Sequence, residues 1–261
     1  YQENSALADR LTKVNTELEE EKNLRVRAER DAVWKDISFS AAHKIGNPIF
    51  AIETDLAPLE LRIEQDRKVE AFEVVSNIRG AVEKAKNIVE QFKSLTKAQQ
   101  VNLAMTPLLP ILLDSCKVFE AKDVEFAVEC PAAIRILGDP DRLSELFDEL
   151  AMNALHWMEA VPKQVRVTAI VATSSDLPSE IDSQRRYVLV HFRDNGPGVP
   201  FENKTNIFEA FFSTHDQGTG LGLALARVIV ERHGGVILES GIPGKGADFE
   251  IYLPLAQEAG K

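Results

Sequence analysis

Apolar residues recur every three or four positions through roughly the first hundred residues, and this spacing predicts long amphipathic helices. Within residues 1–35, Leu7, Leu11, Val14 and Leu18 alternate between spacings of four and three, which predicts the seam of a coiled coil. The seam then shifts, which suggests a stutter. A single solvated helix is the alternative interpretation of so short a run.

Two further apolar stripes follow in residues 36–100, separated by the polar segment Glu64–Lys68. They predict two long helices joined by a short turn, an α-helical hairpin. One hairpin only partly covers its apolar faces, so we expect dimerisation into a four-helix bundle. The first stripe comprises Ile45, Ile49, Ile52, Leu56, Leu59 and Ile63, and the second comprises Phe72, Val75, Ile78, Val82, Ala85, Val89, Phe92 and Leu95.

After Gln99 the pattern changes, because Pro, Gly and β-branched residues enter and helical segments alternate with strand-like ones. This predicts an α+β sandwich over residues 101–257, with helices on one face of a mixed sheet. The strongest domain break falls near residues 100–106. The predicted strands are Val124–Val128, Val165–Ala172, Tyr187–Phe192, Val236–Glu239 and Phe249–Leu253, and the predicted helices are Leu108–Val118, Asp141–Met158 and Leu221–His233.

Composition narrows the class of function. The 261 residues are 44% hydrophobic, enough for more than one domain, and the formal net charge is -11. That charge argues against binding nucleic acid, which depends on basic residues at the phosphates. It does not argue against ATP, since a pocket can bind phosphate through backbone N–H groups and a metal ion.

The cysteine content and the first residues of the sequence predict the cellular compartment of the protein and the presence of an upstream domain. Cys116 and Cys130 have no Cys or His at metal-ligand spacing, so we expect reduced thiols in a cytoplasmic chain, with a disulfide as the alternative. No apolar run is long enough to cross a bilayer. The chain begins at Tyr1 within a predicted helix, so we expect that an upstream sensor domain is missing and leave membrane attachment of the parent protein open.

The first chemical motif follows the strand predicted at Tyr187–Phe192 and reads Asp194-Asn195-Gly196-Pro197-Gly198. Glycines after an aspartate place a carboxylate on a tight turn where a ligand can approach the backbone. The carboxylate can accept a hydrogen bond from an exocyclic amine such as that of adenine. A plain turn is the alternative interpretation.

The second motif stands directly before a predicted helix and reads Gly218-Thr219-Gly220-Leu221-Gly222. Alternate glycines at a helix start expose N–H groups toward an anion, and the helix dipole adds to the attraction. The spacing is neither that of a Rossmann fingerprint nor that of a P-loop. A flexible hinge is the alternative.

The third motif lies on the helix predicted at Asp141–Met158. Glu149 and Asn153 are four residues apart and share one face, where their oxygens can hold Mg²⁺ directly or through its waters. Apolar neighbours surround them, and polar groups in such a helix call for a partner. His156 and Trp157 follow on the same helix.

Taken in chain order, the third, first and second motifs resemble the N, G1 and G2 boxes of the histidine-kinase ATPase domain. That domain belongs to the superfamily shared with gyrase B, Hsp90 and MutL. Residues 207–214 resemble the F box, and the match extends over roughly Gly138–Pro254. The resemblance implies a Bergerat ATP-binding fold in the catalytic core of a sensor histidine kinase of a two-component system.

The resemblance also implies roles for individual residues. Asn153 would ligate Mg²⁺ with Glu149 beside it, and Asp194 would bind the adenine amine. Many kinases have Asn where Glu149 stands, and a Glu resembles the water-activating base of the ATPase relatives. The other residues expected to shape the nucleotide pocket or its lid are His156, Trp157, Gly196, Gly198, Phe208, Gly218, Thr219, Gly220, Leu221 and Gly222.

The predicted hairpin contains His43, five residues ahead of Pro48, and this segment resembles the H box of dimeric histidine kinases. A helix-interior proline kinks the backbone and can expose the imidazole, whose neutral form can attack phosphorus. Lys44 stands where the family normally has an acid, and an ammonium cannot take up the imidazole proton. Asn47 matches the polar position that orients water for dephosphorylating the partner regulator.

The resemblance implies binding of ATP and Mg²⁺, autophosphorylation of His43, and transfer to an aspartate of a separate response regulator, with a phosphatase-biased enzyme as a variant. It also implies a homodimer formed through hairpin and coiled coil. A nucleotide-binding pseudokinase or signalling scaffold is the alternative that Lys44 supports. A non-kinase ATPase is supported by Glu149 and opposed by the F box and the hairpin. Whether phosphorylation occurs within or between subunits stays open.

Overall fold

The computed structural model describes residues 35, 37–159, 162–173, 177–179, 181–214 and 218–256. Apart from Lys35, the coiled coil predicted in residues 1–35 lies outside this part of the chain. Contacts divide the chain into two compact units, Tyr1–Ala85 and Lys86–Lys261. Across the described residues, no helix has the length and apolar character that crossing a membrane requires.

The predicted helical hairpin is present, and the first unit contains its first helix, its turn and the beginning of its second helix. Helix α1 covers residues 37–64 and helix α2 covers Lys68–Lys97. Between them Asp66 adopts a left-handed φ of 54°, and the Arg67 Nε donates to Glu70 Oε1 at 2.9 Å. The turn falls within the predicted segment Glu64–Lys68.

The apolar stripes of the hairpin are only partly covered. Leu95 of the second stripe is buried, whereas Ile63 is 63% exposed and Phe72 is 74% exposed; the buried residues at the start of α2, Ala71 and Val74, lie outside the predicted stripe. Incomplete burial is what the two stripes predict for one hairpin taken alone.

The second unit is built on a five-stranded mixed sheet of order β2-β4-β5-β7-β6, in which β2 and β4 are parallel and the other neighbours antiparallel. A separate antiparallel pair, β1 and β3, was not predicted. In chain order the strands are β1 Ala104–Pro107, β2 Val124–Glu129, β3 Arg135–Gly138, β4 Lys163–Val171, β5 Tyr187–Asp194, β6 Val236–Glu239 and β7 Asp248–Pro254.

Three helices pack with this sheet, α3 Leu108–Glu120, α4 Pro140–Trp157 and α5 Gly222–Arg232, and α4 contacts both of the others. Two short 3₁₀ helices, Phe201–Asn203 and Asn206–Phe208, follow β5. Fully buried side chains of α4 and β5, such as Phe147 and Phe192, fill the core. The predicted helices and the mixed sheet are therefore confirmed.

The end of α2 belongs to the second unit, although the sequence places the strongest break near residues 100–106. Ile88, Leu95 and Ala98 are buried, and the Arg232 guanidinium donates to Gln99 Oε1. The division therefore falls inside a continuous helix, where a change of composition cannot reveal it.

Both cysteines are free thiols. Cys116 is buried in α3, and burial raises the pKa of its thiol to about 11. A thiol with so high a pKa is almost entirely protonated near neutral pH and is a poor nucleophile.

Candidate nucleotide-binding site

A cavity of about 1020 Å³ opens in the second unit. Ligand pockets for small molecules commonly occupy about 300–1,000 Å³, so this cavity has the size for a nucleotide. Its wall includes Asn87, Glu90 and Gln91 from the end of α2. Ten residues expected from the sequence also line it: Glu149, Asn153, His156, Trp157, Asp194, Gly198, Gly218, Thr219, Gly220 and Gly222.

Helix α4 presents one polar face to the cavity. Its opposite face is buried, and a capping residue sets the position at which the helix begins. Asp139 caps the helix, with Oδ1 accepting from the backbone N–H groups of Asp141 at 3.1 Å and Arg142 at 3.3 Å. Pro140 occupies the first turn, where its missing N–H costs nothing. The buried face consists of Leu143, Leu146, Phe147, Leu150, Ala151 and Ala154.

Glu149 lines the cavity beside the start of α5. Burial raises the pKa of this carboxyl to about 7, and the negative charges of Glu145 and Asp148 add to the effect. A Cβ on Gly222 would meet Glu149 Oε2, so a larger residue at this position would displace the Glu149 carboxylate. The third glycine of its motif therefore leaves room for the Glu149 carboxylate at the start of α5.

Asn153 lies one turn after Glu149 and shares its carbonyl oxygen with a tryptophan. The Trp157 indole N–H donates to Asn153 Oδ1 at 3.2 Å. The His156 ring contacts Trp157 edge-on, with centroids 5.1 Å apart. An amide oxygen has two lone pairs, so Asn153 can accept this bond and still offer oxygen to a cation.

Asp194 ends β5 with its carboxylate fixed by backbone donors. Its Oδ1 accepts from the N–H of Gly196 at 2.8 Å and from the N–H of Ala247 at 3.2 Å. Burial raises the pKa of Asp194, and these two hydrogen bonds oppose that rise. The arrangement holds one carboxylate oxygen in place while the side chain lines the cavity.

The loop after Asp194 approaches the β6–β7 turn, residues 240–247, at backbone contact distance. Gly246 has φ 104°, and a Cβ there would collide with the carbonyl oxygen of Asp194. Gly198 has φ 70°, and its Cβ would lie 2.8 Å from the carbonyl oxygen of Gly246. Glycine at both positions is needed for this approach.

The glycine segment before α5 contacts two other parts of the unit. The Thr219 hydroxyl donates to Gln91 Oε1 of α2. The carbonyl oxygen of Gly220 accepts from the N–H of Phe211 at 2.8 Å, within the segment that resembles the F box. The glycine segment is therefore hydrogen-bonded both to α2 and to the segment that resembles the F box.

Three predicted pocket residues do not line the cavity. Gly196 is buried behind Asp194, to which its N–H donates. Phe208 is 7% exposed and meets Phe249 edge-on at 6.3 Å, while Leu221 is fully buried at the start of α5. At these three positions the motif residue is buried beneath the cavity wall and contributes to packing instead of facing the cavity.

His43 and Asn47 are carried by α1 in the first unit. Both are exposed and one helical turn apart, so they share a face. Lys44 is half-buried, and Pro48 is buried within the continuous helix. Pro48 has no N–H for the carbonyl of Lys44, which leaves the helix one hydrogen bond short next to His43.

Several lining residues carry no motif signal in the sequence. Lys122 follows α3 and Lys163 begins β4, and both contribute cationic side chains to the cavity wall. Asn203 lines it from the first 3₁₀ helix. Only the fold brings these positions to the cavity, so spacing along the chain cannot identify them.

Comparison with known proteins agrees with this geometry. Residues 138–257 match the family described as histidine kinase-, DNA gyrase B-, and HSP90-like ATPase. Sensor histidine kinase ZraS of Klebsiella oxytoca is 29% identical over 234 residues, which cover 88% of this chain and 48% of ZraS. The chain therefore spans about half the length of this relative.

Two solved structures share the fold. Histidine kinase ThkA, in its complex with response regulator protein TrrA, has a TM-score of 0.62 at 22% identity over 89% of this chain and 65% of that one. ShkA, in complex with AMPPNP, has a TM-score of 0.57 at 22% identity over 87% of this chain and 47% of that one. Residues 138–257 thus form a domain of the type shared by histidine kinases, DNA gyrase B and HSP90, and the relatives that the chain resembles are sensor histidine kinases.

Proposed function

We propose that this chain binds ATP with Mg²⁺ in the cavity around Asp194 and phosphorylates itself on His43. One observation carries the proposal. A carboxylate fixed by two backbone donors and a polar helix face with Glu149 and Asn153 line the same nucleotide-sized cavity. In domain terms we propose a signalling helix in residues 1–35, a phosphotransfer hairpin in residues 36–100 and an ATP-binding domain in residues 101–257.

The adenine end of the nucleotide is assigned to Asp194. With Oδ1 held by Gly196 and Ala247, the second carboxylate oxygen can accept a hydrogen bond from the exocyclic amine. A guanine presents a carbonyl at the corresponding position and would face this carboxylate unfavourably. The site therefore favours adenine over guanine nucleotides.

The phosphate end is assigned to the region between α4 and the glycine segment. Asn153 and Glu149 supply amide and carboxylate oxygens, the donors that Mg²⁺ prefers, so these residues fit the ion. A bound Mg²⁺ would neutralise phosphate charge. Backbone N–H groups of the segment 218–222, at the start of α5, can contact the phosphate oxygens.

The chemistry at His43 is an in-line displacement. An unprotonated ring nitrogen bonds to the γ-phosphorus, the bond to the bridging oxygen breaks, and ADP leaves with that electron pair. The proton on the other ring nitrogen must pass to water or another residue, since Lys44 cannot accept it. The phosphoryl group then passes to an aspartate of a separate response regulator, and Asn47 can orient water for dephosphorylating that partner.

Dimerisation through the hairpin is part of the proposal. Phe39, Phe50 and Phe72 are 76%, 68% and 74% exposed in the single chain. Large apolar side chains left in water on both helices of the hairpin favour association with a second copy. A four-helix bundle of two hairpins would cover them.

Two alternative functions are each supported by one residue. Lys44 at the position of the family's acid favours a pseudokinase or scaffold that binds nucleotide without autokinase activity. Glu149, whose pKa is raised to about 7, has the properties of a general base and favours hydrolysis without a histidine acceptor.

Incubation with γ-labelled ATP and Mg²⁺ separates these functions. Acid-labile, alkali-stable label that disappears in His43→Gln supports the kinase. Nucleotide binding with no label supports the pseudokinase. Phosphate release that is unchanged in His43→Gln supports the ATPase.

A further inference from the structure

A lysine and a glutamate outside the three motifs form a buried ion pair near the cavity. Lys204 Nζ lies 2.7 Å from Glu239 Oε2, and the two side chains are 18% and 0% exposed. Lys204 follows the first 3₁₀ helix and Glu239 ends β6. An unpaired charge at such a position is strongly destabilising, so each side chain depends on the other.

The ion pair holds both ends of the β6–β7 turn. Glu239 Oε1 accepts from the backbone N–H of Gly241 at 2.9 Å and from that of Asp248 at 3.2 Å. Lys204 Nζ donates to the carbonyl oxygen of Gly241. The pair thus ties the turn to the segment that follows β5.

The same turn carries groups that position the carboxylate of Asp194. Ala247 supplies one of the two N–H groups that Asp194 Oδ1 accepts, at 3.2 Å. Gly244 donates its N–H to the carbonyl oxygen of Pro197 at 2.6 Å. Because the turn and the loop after Asp194 are in backbone contact, displacement of the turn would displace the carboxylate.

We propose that Lys204 and Glu239 are positioning residues for adenine recognition, which fix the β6–β7 turn so that its backbone holds the Asp194 carboxylate. This inference rests on the proposed binding of ATP. Neither residue lines the cavity, so they act through Asp194 and not on the nucleotide directly.

Charge gives the pair a second effect on Asp194. Burial is the main cause of the raised pKa of Asp194, and the negative charge of Glu239 raises it further. Lys204 offsets that charge at 2.7 Å. Loss of Lys204 alone would therefore both release the turn and leave a repulsive carboxylate behind the adenine site.

The test measures binding of AMPPNP and GMPPNP, each with Mg²⁺, by calorimetry on the full chain. We expect Lys204→Met and Glu239→Gln to weaken AMPPNP roughly three- to tenfold, the value of one hydrogen bond, and to reduce the preference for AMPPNP over GMPPNP. Lys204→Arg restores both. The control is Lys117→Met, which removes a lysine from an exposed ion pair with Asp114 and leaves both affinities unchanged.

Circular dichroism first establishes that each variant is folded. Glu239→Gln keeps a side-chain oxygen that can accept from the two backbone donors. If Lys204→Met alone does not fold, the test uses Glu239→Gln and the double variant Lys204→Met with Glu239→Gln. Unchanged affinity and preference in these variants overturn the proposal. An equal loss for both nucleotides, or no rescue by Lys204→Arg, also overturns it. If the unsubstituted chain binds no AMPPNP, the proposed function itself fails.

Discussion

The nucleotide cavity and the helix that carries His43 differ in what holds their functional side chains in place. Around the cavity the backbone itself is the constraint, since Gly246 and Gly220 have positive φ and a Cβ on either would collide with backbone atoms of a neighbour. Along α1 no such constraint acts, and a Cβ on Gly46 would meet nothing within 4 Å. His43 stands exposed on a continuous helix.

This difference separates the residues that set the shape of the cavity from the histidine that is proposed to react. Substitutions around the cavity act mainly by moving Asp194 and its donors, so they change binding and stability together. Substitutions at the H box change reactivity with little effect on folding. The predictions below test this contrast.

The largest effect is expected for Gly246→Ala. The new Cβ would collide with the carbonyl oxygen of Asp194 at a φ of 104°, which should cost about 3 kcal/mol or more in the free energy of unfolding and abolish AMPPNP binding. Gly244→Ala is the matched control, because φ is 82° there and nothing lies within 4 Å, so about 1 kcal/mol is expected. Equal losses in urea unfolding would contradict the steric account.

Asp194→Asn should weaken AMPPNP roughly ten- to hundredfold, because a hydrogen bond to a charged acceptor is worth roughly 1.5–3 kcal/mol. The overall fold should persist, since the amide oxygen can still accept from Gly196. Calorimetry on His43→Gln provides the comparison and should give unchanged affinity. A similar loss in both variants would show that binding and phosphoacceptor functions are not separable in this way.

Trp157→Phe should raise the Mg²⁺ concentration needed for tight nucleotide binding by roughly tenfold, because it removes the indole N–H that orients Asn153. The aromatic ring against His156 is kept. AMPPNP affinity measured with excess EDTA should not change. A loss of the same size with and without Mg²⁺ would assign Trp157 to nucleotide packing instead.

Acidification should destabilise the second unit through His233. Its Nε2 accepts from the N–H of Asp139 at 2.9 Å and its Nδ1 donates to the carbonyl of Ile229 at 2.7 Å, which requires a neutral ring. Burial lowers the pKa of His233 from its ordinary 6.5 and outweighs the opposing effects of the Ile229 carbonyl and the Asp139 charge.

The unfolded chain therefore takes up this proton first, so the stabilisation is present above about pH 6.5 and is lost as the pH falls through the lower pKa of the folded state. Urea unfolding at a series of pH values should show this decline. Its steepness should decrease in His233→Gln. An unchanged slope would exclude His233 as the source.

The smallest effect, and the only gain, is expected for Gly46→Ala. Alanine favours a helix over glycine by about 1 kcal/mol, and nothing crowds this position in the single chain. Thermal unfolding should shift upward, and Gly80→Ala in α2 is a second position of the same kind. Destabilisation would indicate that a partner packs against Gly46.

Features with a local cause were predictable from the sequence. The boundaries of α4 were predicted to within one residue, because Asp139 and Pro140 give a capping residue followed by a proline in the first turn. Ten of the motif residues singled out, Asp194, Asn153 and Gly220 among them, lie on the wall of one cavity.

Features that depend on contacts between residues far apart in the sequence were not predictable. Strands β1 and β3 are four residues long, too short for a periodic pattern, and they pair across more than twenty intervening residues. Lys204 and Glu239 are 35 residues apart in the sequence and are brought together by the fold. The contact of Gln91 with Thr219 joins a helix and a loop that the sequence assigns to different domains.

The most direct test of the account is to locate the phosphoryl group. After incubation with Mg²⁺ and subsaturating ATP, tandem mass spectrometry of peptides kept at alkaline pH should find phosphate on His43, and far less of it in Asp194→Asn. Phosphate on another residue, or ATP turnover with no phosphorylated peptide, would contradict the joining of the Asp194 cavity to the His43 helix in one reaction.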